Sequence, residues 1–250
     1  MQPEISIGPL DLQTFGICFA LAFLGAGALL ARRFSELGRP VDWAYEMGFA
    51  ALIGGLVGSR VDFIIQNYDD VSDDFLSNVF SGSGLVWFGG LIGGAAGVLI
   101  WAWRRNYVNL ELLDVFAPAG ALGYAIGRVG CQLSGDGDYG QPWDGPWAMA
   151  YPEGTVATDV PVHPTPIYET LAMGLLALLL WRLRDRVRPG ALFALFLVLH
   201  GIERLLVEFI RRNDEVALGL TLAQLFSVAM IAGGAALLLR WRRAGGLAAA

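Results

Sequence analysis

Arg128 stands in YAIGRVGCQLSGDGDYG, Tyr124 to Gly140, directly behind the apolar run Leu112 to Ile126. A fixed charge beside a bilayer core costs about 3 kcal/mol or more unless it is partnered or wetted, so an arginine here needs a reason. A second group, His200, Arg204, Glu208 and Arg211, lies in another apolar stretch at spacings of four, four and three. Helical periodicity places all four on one face, and that face cannot look at lipid. Glu208 could simply neutralise Arg204 or Arg211 one turn away. Buried pairs are weak net stabilisers, however, so this many retained charges favour a functional face. Two guanidiniums converging in a membrane cavity suit a phosphate, since each offers a planar fork of donors and stays charged. The plentiful local phosphate is a phospholipid headgroup.

Two further residues are candidates with alternatives open. His163, in VHPTPIYE, opens an apolar helix whose start is fixed by Pro164 and Pro166, with Tyr168 and Glu169 in the first turns. A helix-terminal histidine is commonly structural, but this one shares a side of the membrane with Arg128. Arg60, in GSRVDF, precedes Asp62 by two residues, a spacing at which helical side chains do not face each other. It fits a snorkelling interfacial charge and a site residue equally well.

The elements that must position these residues are membrane helices. Of 250 residues, 55% are hydrophobic and 16% charged, and mean hydropathy is +0.53, too apolar for an ordinary soluble domain. Seven apolar stretches can be drawn: Phe15 to Leu30, Trp43 to Ile65, Gly84 to Trp103, Leu112 to Ile126, Pro166 to Leu183, Ala191 to Ile210 and Leu220 to Leu239. Several approach the roughly 20 residues that a bilayer core requires. The expectation is an all-α polytopic membrane protein with about seven transmembrane helices, forming a single transmembrane domain over residues 1–250. Residues 1–12 contain no basic residue, unlike a cleavable signal peptide, so the first apolar run is expected to be a retained helix.

Net charge is −6, and lysine is absent, so all 17 basic side chains are arginines. Arg32, Arg33 and Arg39 follow the first helix, Arg104 and Arg105 the third, Arg182, Arg184, Arg186 and Arg188 the fifth, and Arg240, Arg242 and Arg243 the seventh. All four groups fall on one side, which the retention of basic residues makes cytoplasmic. Asp69, Asp70, Asp73 and Asp74, and then Asp136, Asp138, Asp144, Glu153 and Asp159, fall on the other. The N-terminus is therefore expected outside and the C-terminus in the cytoplasm.

The outer connection from about 130 to 164 is too long for an idle turn, and long ordered connections are often functional. Its Tyr139, Trp143, Trp147 and Tyr151 suit the headgroup region as an aromatic belt. Gly54, Gly55 and Gly58, with Gly89, Gly90, Gly93, Gly94 and Gly97, make small-residue surfaces for close helix packing. The two cysteines, Cys18 and Cys131, form neither a metal spacing nor an expected disulfide.

In order and spacing the chain resembles the phosphatidylglycerol:prolipoprotein diacylglyceryl transferases of bacterial inner membranes. The resemblance runs through IGPLDLQTFGI, the GSR at Gly58 to Arg60, GGLIGG from Gly89 and GRVG from Gly127. It continues through HPTPIYE from His163, ERLLVEFIRRND from Glu203 and LTLAQLFS from Leu220. It implies a seven-helix, multi-pass inner-membrane enzyme with its site toward the periplasmic side. The implied reaction carries the diacylglyceryl group of phosphatidylglycerol to the lipobox cysteine thiol of a preprolipoprotein, with loss of glycerol phosphate. No metal, cofactor or nucleic-acid partner is implied. Arg128 and Arg204 match the two essential arginines of the family, Glu208 the acid one turn beyond the second, and His163 the histidine of its HP pattern. Phe88 stands where the family usually carries the histidine of HGG. Gly130-Cys131 and Ser134-Gly135-Asp136 replace its GN and NGE patterns, and His200 replaces a tyrosine.

Thioether formation requires a thiolate to attack a primary carbon as a phosphate monoester departs. A free thiol near pKa 8.5 is only slightly ionised at neutral pH, so a base or a positive field helps. Arginines serve both ends of the reaction, stabilising the leaving phosphate and favouring the thiolate. The bases present are His200, His163, Asp136 and Glu208, and His200 is expected to serve because it lies one turn before Arg204. Arg128, Arg204 and His200 are thus the expected catalytic residues, and Arg60, Asp136, His163 and Glu208 the expected substrate-binding ones. Two alternatives share these residues: a phospholipid-using enzyme with another acceptor, and a non-enzymatic lipid or solute transporter. The transporter is disfavoured because no paired repeat with midplane interruptions is evident. A soluble cofactor enzyme is disfavoured by the lack of a phosphate-binding glycine loop after a strand.

Overall fold

A computed structural model describes residues 2–8, 10–67, 86–244 and 246–248. Seven helices lie among them: α1 (Thr14–Glu36), α2 (Asp42–Gln66), α3 (Trp87–Arg104), α4 (Leu110–Ser134), α5 (Thr165–Leu183), α6 (Ala191–Glu208) and α7 (Leu222–Arg243). Each expected apolar stretch has become one of them. Three short antiparallel hairpins interrupt the helices: β1 (Glu4–Ile7) with β2 (Leu10–Gln13), β3 (Met149–Tyr151) with β4 (Thr158–Val162), and β5 (Glu215–Ala217) with β6 (Leu220–Thr221). Helices α1, α2, α4, α5 and α7 are long and apolar enough to cross a membrane, and α3 is apolar but shorter. α6 departs from that pattern because it carries Glu203, Arg204 and Glu208 within its 18 residues. The chain is a multi-pass, predominantly helical membrane protein. The acidic group Asp69 to Asp74 lies outside the described residues.

The described chain forms two compact units, Ala31–Leu112 and a second made of Met1–Leu30 with Leu113–Ala250. In the first, α2 and α3 are packed glycine on glycine. A Cβ added at Gly58 would fall on the Gly89 carbonyl and 2.7 Å from the Gly93 Cα, and one at Gly54 would meet the Gly93 carbonyl. Without a hydrophobic force between helices in lipid, such close backbone approach is what drives association. Two polar ties fasten the same contact: Asp62 accepts from the Gly89 N–H at 2.9 Å, and the Ser59 hydroxyl donates to the Val86 carbonyl at 2.8 Å. Gly58→Ala is therefore expected to cost about 1–3 kcal/mol through overpacking. The measurement is the thermal unfolding midpoint in detergent, with the open position Gly48→Ala as reference, since nothing lies within 4 Å of a Cβ there.

The other end of this unit holds an aromatic cluster of Phe34, Trp43, Trp101 and Tyr107, with ring centroids 5.1–6.5 Å apart. Glu46 accepts from the Trp101 indole at 2.8 Å and from Arg105 Nε at 2.9 Å. Burial, and then the bond it donates to Glu111, push the Tyr107 hydroxyl well above its ordinary pKa.

The second unit is built on α4, α5 and α6, whose buried Ala117, Ala121, Ala125, Met173, Leu180 and Phe196 form the core. Alanines on α4 let α5 and α6 approach closely. α6 starts from Gly190 in the left-handed region (φ +88°), a conformation that favours glycine. Asp114 on α4 then accepts from the Gly190 and Phe193 N–H groups at 2.6 and 2.8 Å, satisfying donors that the helix start leaves open. α7 begins with a capping box in which Thr221 and Gln224 satisfy each other's backbone N–H groups. Gly201 and Gly234 bring α6 and α7 together, since a Cβ at Gly234 would lie 2.6 Å from the Ala194 carbonyl oxygen.

Candidate active site

α4 runs past the apolar stretch that ended at Ile126 and continues to Ser134, so Arg128 is held inside a helix rather than at its end. Tyr124, Arg128 and Cys131, at spacings of four and three, share one of its faces. Arg128 Nε lies 2.7 Å from Glu169 Oε2, Nη2 donates to the Tyr124 hydroxyl at 2.8 Å, and Nη1 pairs with Asp138. Its guanidinium also lies over the Tyr124 ring, 4.9 Å from the centroid.

Glu169, on the second turn of α5 and 0% exposed, is the centre of the arrangement. Besides Arg128 it receives Arg204 Nη1 at 3.1 Å and the Tyr124 hydroxyl at 3.2 Å, and Arg211 Nη1 lies at 3.7 Å. Arg204 Nη2 pairs with Glu208 Oε2 at 2.8 Å, one turn along α6. The other Glu208 oxygen accepts from Thr221 Oγ1 and Asn213 Nδ2, both at 2.7 Å. Arg211, just past the end of α6, joins Asp138 and lies 3.9 Å from Glu208. Three guanidiniums thus meet three carboxylates with little solvent contact. Such a cluster holds only while complete, because removing one partner leaves an uncompensated buried charge.

Asp138 reaches the cluster from the connection after α4. Gly135 and Gly137 precede it at φ +59° and +94°, the left-handed conformations that turn the chain back over the helix end. Thr165 Oγ1 donates to the Asp138 carbonyl at 2.5 Å, fixing its backbone against the start of α5. Burial alone would raise the Asp138 carboxyl, but the Arg128 and Arg211 guanidiniums beside it hold it below the usual carboxylate range. Asp136, expected to bind substrate, accepts from the Asp138 N–H at 3.2 Å. Cys131 Sγ and one oxygen each of Asp136 and Asp138 lie within 4.8 Å of one another. Asp138 gives one oxygen to each of two guanidiniums, which leaves that trio a poor donor set for a cation.

The remaining expected site residues are distributed differently. His200, on α6, packs edge-on against the Tyr124 ring at 5.1 Å, and among the described residues its buried Nδ1 has no hydrogen-bond partner. Glu203, three residues on, has neither carboxylate oxygen hydrogen-bonded among the described residues. His163 stacks on Trp143 at 4.3 Å and 11°, with Nδ1 3.3 Å from the Tyr168 hydroxyl. Arg60 lies on α2 in the other unit, over the Phe63 ring at 4.9 Å. The four connection aromatics do not form one belt. Tyr139 and Tyr151 stack at 4.8 Å in the connection's own core, at 2% and 0% exposure, while Trp147 is 58% exposed.

Arg128, Arg204 and Glu208 are thus brought together, with His200 beside Tyr124. Glu169, Asp138 and Arg211 complete the cluster and were not among the expected site residues. Arg211 was visible as a member of the α6 face. Glu169 carried one signal, as the only acid in an otherwise apolar helix. Asp138 carried none that distinguished it from Asp136.

The family model for prolipoprotein diacylglyceryl transferase matches residues 3–240. A phosphatidylglycerol–prolipoprotein diacylglyceryl transferase of Clostridium tetani is 33% identical over 210 residues, covering 82% of this chain and 83% of the relative. Enzymes of the same name from Pseudomonas fluorescens and Chromohalobacter salexigens are each 33% identical, covering 94% and 96% of this chain and 91% of either relative. With a match running from the first hairpin to the last helix, through every residue of the arginine–carboxylate cluster, the chain belongs to the prolipoprotein diacylglyceryl transferase family.

Proposed function

We propose that this protein transfers the diacylglyceryl group of phosphatidylglycerol to the lipobox cysteine thiol of a preprolipoprotein. The cysteine sulfur bonds to the glyceryl carbon bearing the phosphate, the carbon–oxygen bond breaks, and glycerol phosphate leaves with the bonding pair. The observation that carries this reading is the buried set of Arg128, Arg204 and Arg211 around Glu169 in a membrane protein of this family. Guanidiniums in a water-poor site stabilise charge developing on a leaving phosphate far more than they would in water. The fork of donors fits phosphate oxygens two at a time.

Arg128 and Arg204 address the phosphate, and Glu208 keeps Arg204 aimed. His200 takes the thiol proton, a role supported by its unpartnered Nδ1 beside the Arg128-bound tyrosine. His163 and Asp136 border the substrates rather than the reacting atoms. The chain acts as one transmembrane domain in the bacterial inner membrane, with the N-terminus and site outside and the C-terminus in the cytoplasm. Arg33, Arg104, Arg182 and Arg240, in the last turns of α1, α3, α5 and α7, support that orientation.

Incubation of purified protein with phosphatidylglycerol and a lipobox peptide tests the reading, with mass spectrometry for the diacylglyceryl thioether. A folded sample yielding no adduct overturns it in favour of another acceptor. In the same assay His200→Ala is expected to lower turnover by about 10²–10⁴-fold, the range for loss of a general base. Full activity at normal expression removes His200 from the proton transfer.

A further inference from the structure

A cavity of about 350 Å³ lies beside the cluster, lined by Gly137, Tyr139, Arg211, Arg212 and Asn213. Its wall carries two cations in sequence. Arg211 is 9% exposed and paired inward with Asp138, whereas the Arg212 guanidinium lies over the Tyr139 ring, 4.6 Å from its centroid. The two residues lining it from the connection, Gly137 and Tyr139, flank Asp138.

The cluster itself poses a charge problem for any phosphate. Its three guanidiniums are already matched by three carboxylates, so an arriving anion must displace one of them or add uncompensated negative charge where it is expensive. Glu169 cannot leave cheaply, because it sits fully buried on α5 among all three arginines. Glu208 is also held by Thr221 and Asn213, and its side chain is 0% exposed. Asp138 differs on each count. It lies off the helices, its side chain is 32% exposed, and among the described residues its carboxylate is ion-paired with the Arg128 and Arg211 guanidiniums.

We propose that this cavity is the docking point for a substrate phosphate, and that the Asp138 carboxylate is the internal anion it displaces from Arg128 and Arg211. Arg212 and Arg211 hold the phosphate first. Rotation of the Asp138 side chain then opens the fork to the buried guanidiniums, while Thr165 keeps the backbone in place. The completed exchange is anion for anion, so the charge that Arg128 and Arg211 lose in Asp138 is replaced by the phosphate. The identity of the phosphate as a lipid headgroup rests on the transferase reading above, whereas the exchange itself does not.

Titration of the purified protein in detergent with inorganic phosphate, followed by calorimetry, tests the exchange. Asp138→Asn is expected to bind phosphate about tenfold more tightly than wild type, because the competing charge is gone. Asp138→Glu, which keeps that charge, is expected to stay near wild type. Unchanged or weaker binding by a folded Asp138→Asn protein overturns the proposal, since Asp138 would then position the arginines rather than occupy them. Should Asp138→Asn not fold, Arg212→Gln decides: a several-fold loss of affinity supports the docking point, and wild-type affinity overturns it. Phosphatidylglycerol micelles are expected to displace bound phosphate, and failure to do so overturns substrate docking and leaves the cavity to free phosphate. Tighter binding by Asp138→Asn alongside a wild type that forms no thioether would overturn the transferase reading alone.

Discussion

Glu169→Gln is expected to lower the stability of the folded protein by about 3–5 kcal/mol, the cost of breaking a buried ion pair from one side. The substitution preserves shape and a hydrogen-bonding oxygen but removes the charge that Arg128, Arg204 and Arg211 share at 2.7, 3.1 and 3.7 Å. Three guanidiniums would then be ion-paired with two carboxylates, Asp138 and Glu208, in a site with little solvent contact. Transfer activity should fall with stability, because the two arginines assigned to the phosphate lose the anchor that spaces them. The measurement is the thermal unfolding midpoint in detergent, read beside thioether formation. A cycle with Arg211→Gln separates charge balance from packing: the double variant, neutral again, should recover part of the lost midpoint. Strictly additive losses would show that Glu169 holds its place by fit alone.

Glu169 lies beyond the range over which local pattern acts. Apolar runs announce helices because burial in lipid acts on local composition, and each of the seven expected stretches carries one. Arg204 and Glu208 announced each other, being one turn apart on α6. Glu169 meets Arg128 across 41 positions of sequence, and Asp138 meets Arg211 across 73, so no local periodicity joins them. The end of α4 is hidden from composition for a related reason. Gly127 to Ser134 is too polar to extend an apolar run, yet it stays helical because its side chains have partners: Arg128 in Glu169, Gln132 in the Tyr151 hydroxyl at 3.0 Å. Tyr139 and Tyr151 read as interfacial rings, but the connection folds upon itself and makes them its core. Composition cannot tell an aromatic that faces headgroups from one that faces another aromatic.

Arg128→Lys is expected to reduce thioether formation by about 10²–10³-fold, the usual loss for one transition-state donor, with a smaller effect on folding. The substitution keeps the positive charge, so a site needing only a field would tolerate it. The geometry argues otherwise: Nε is committed to Glu169, Nη2 to Tyr124 and Nη1 to Asp138, three directions set by one planar group. An ammonium is a compact point charge on a flexible stem and cannot hold those directions at once. On displacement of Asp138 the freed Nη1 would point at the incoming phosphate while Nε and Nη2 keep the fork aimed. The lysine variant should therefore lose turnover more than apparent affinity for phosphatidylglycerol, because orientation matters most as the carbon–oxygen bond lengthens. Arg204→Lys is expected to follow the same pattern through its bonds to Glu169 and Glu208. A folded Arg128→Lys protein with turnover within about threefold of wild type would remove the directional role, leaving Arg128 as a counter-charge to Glu169 and Asp138.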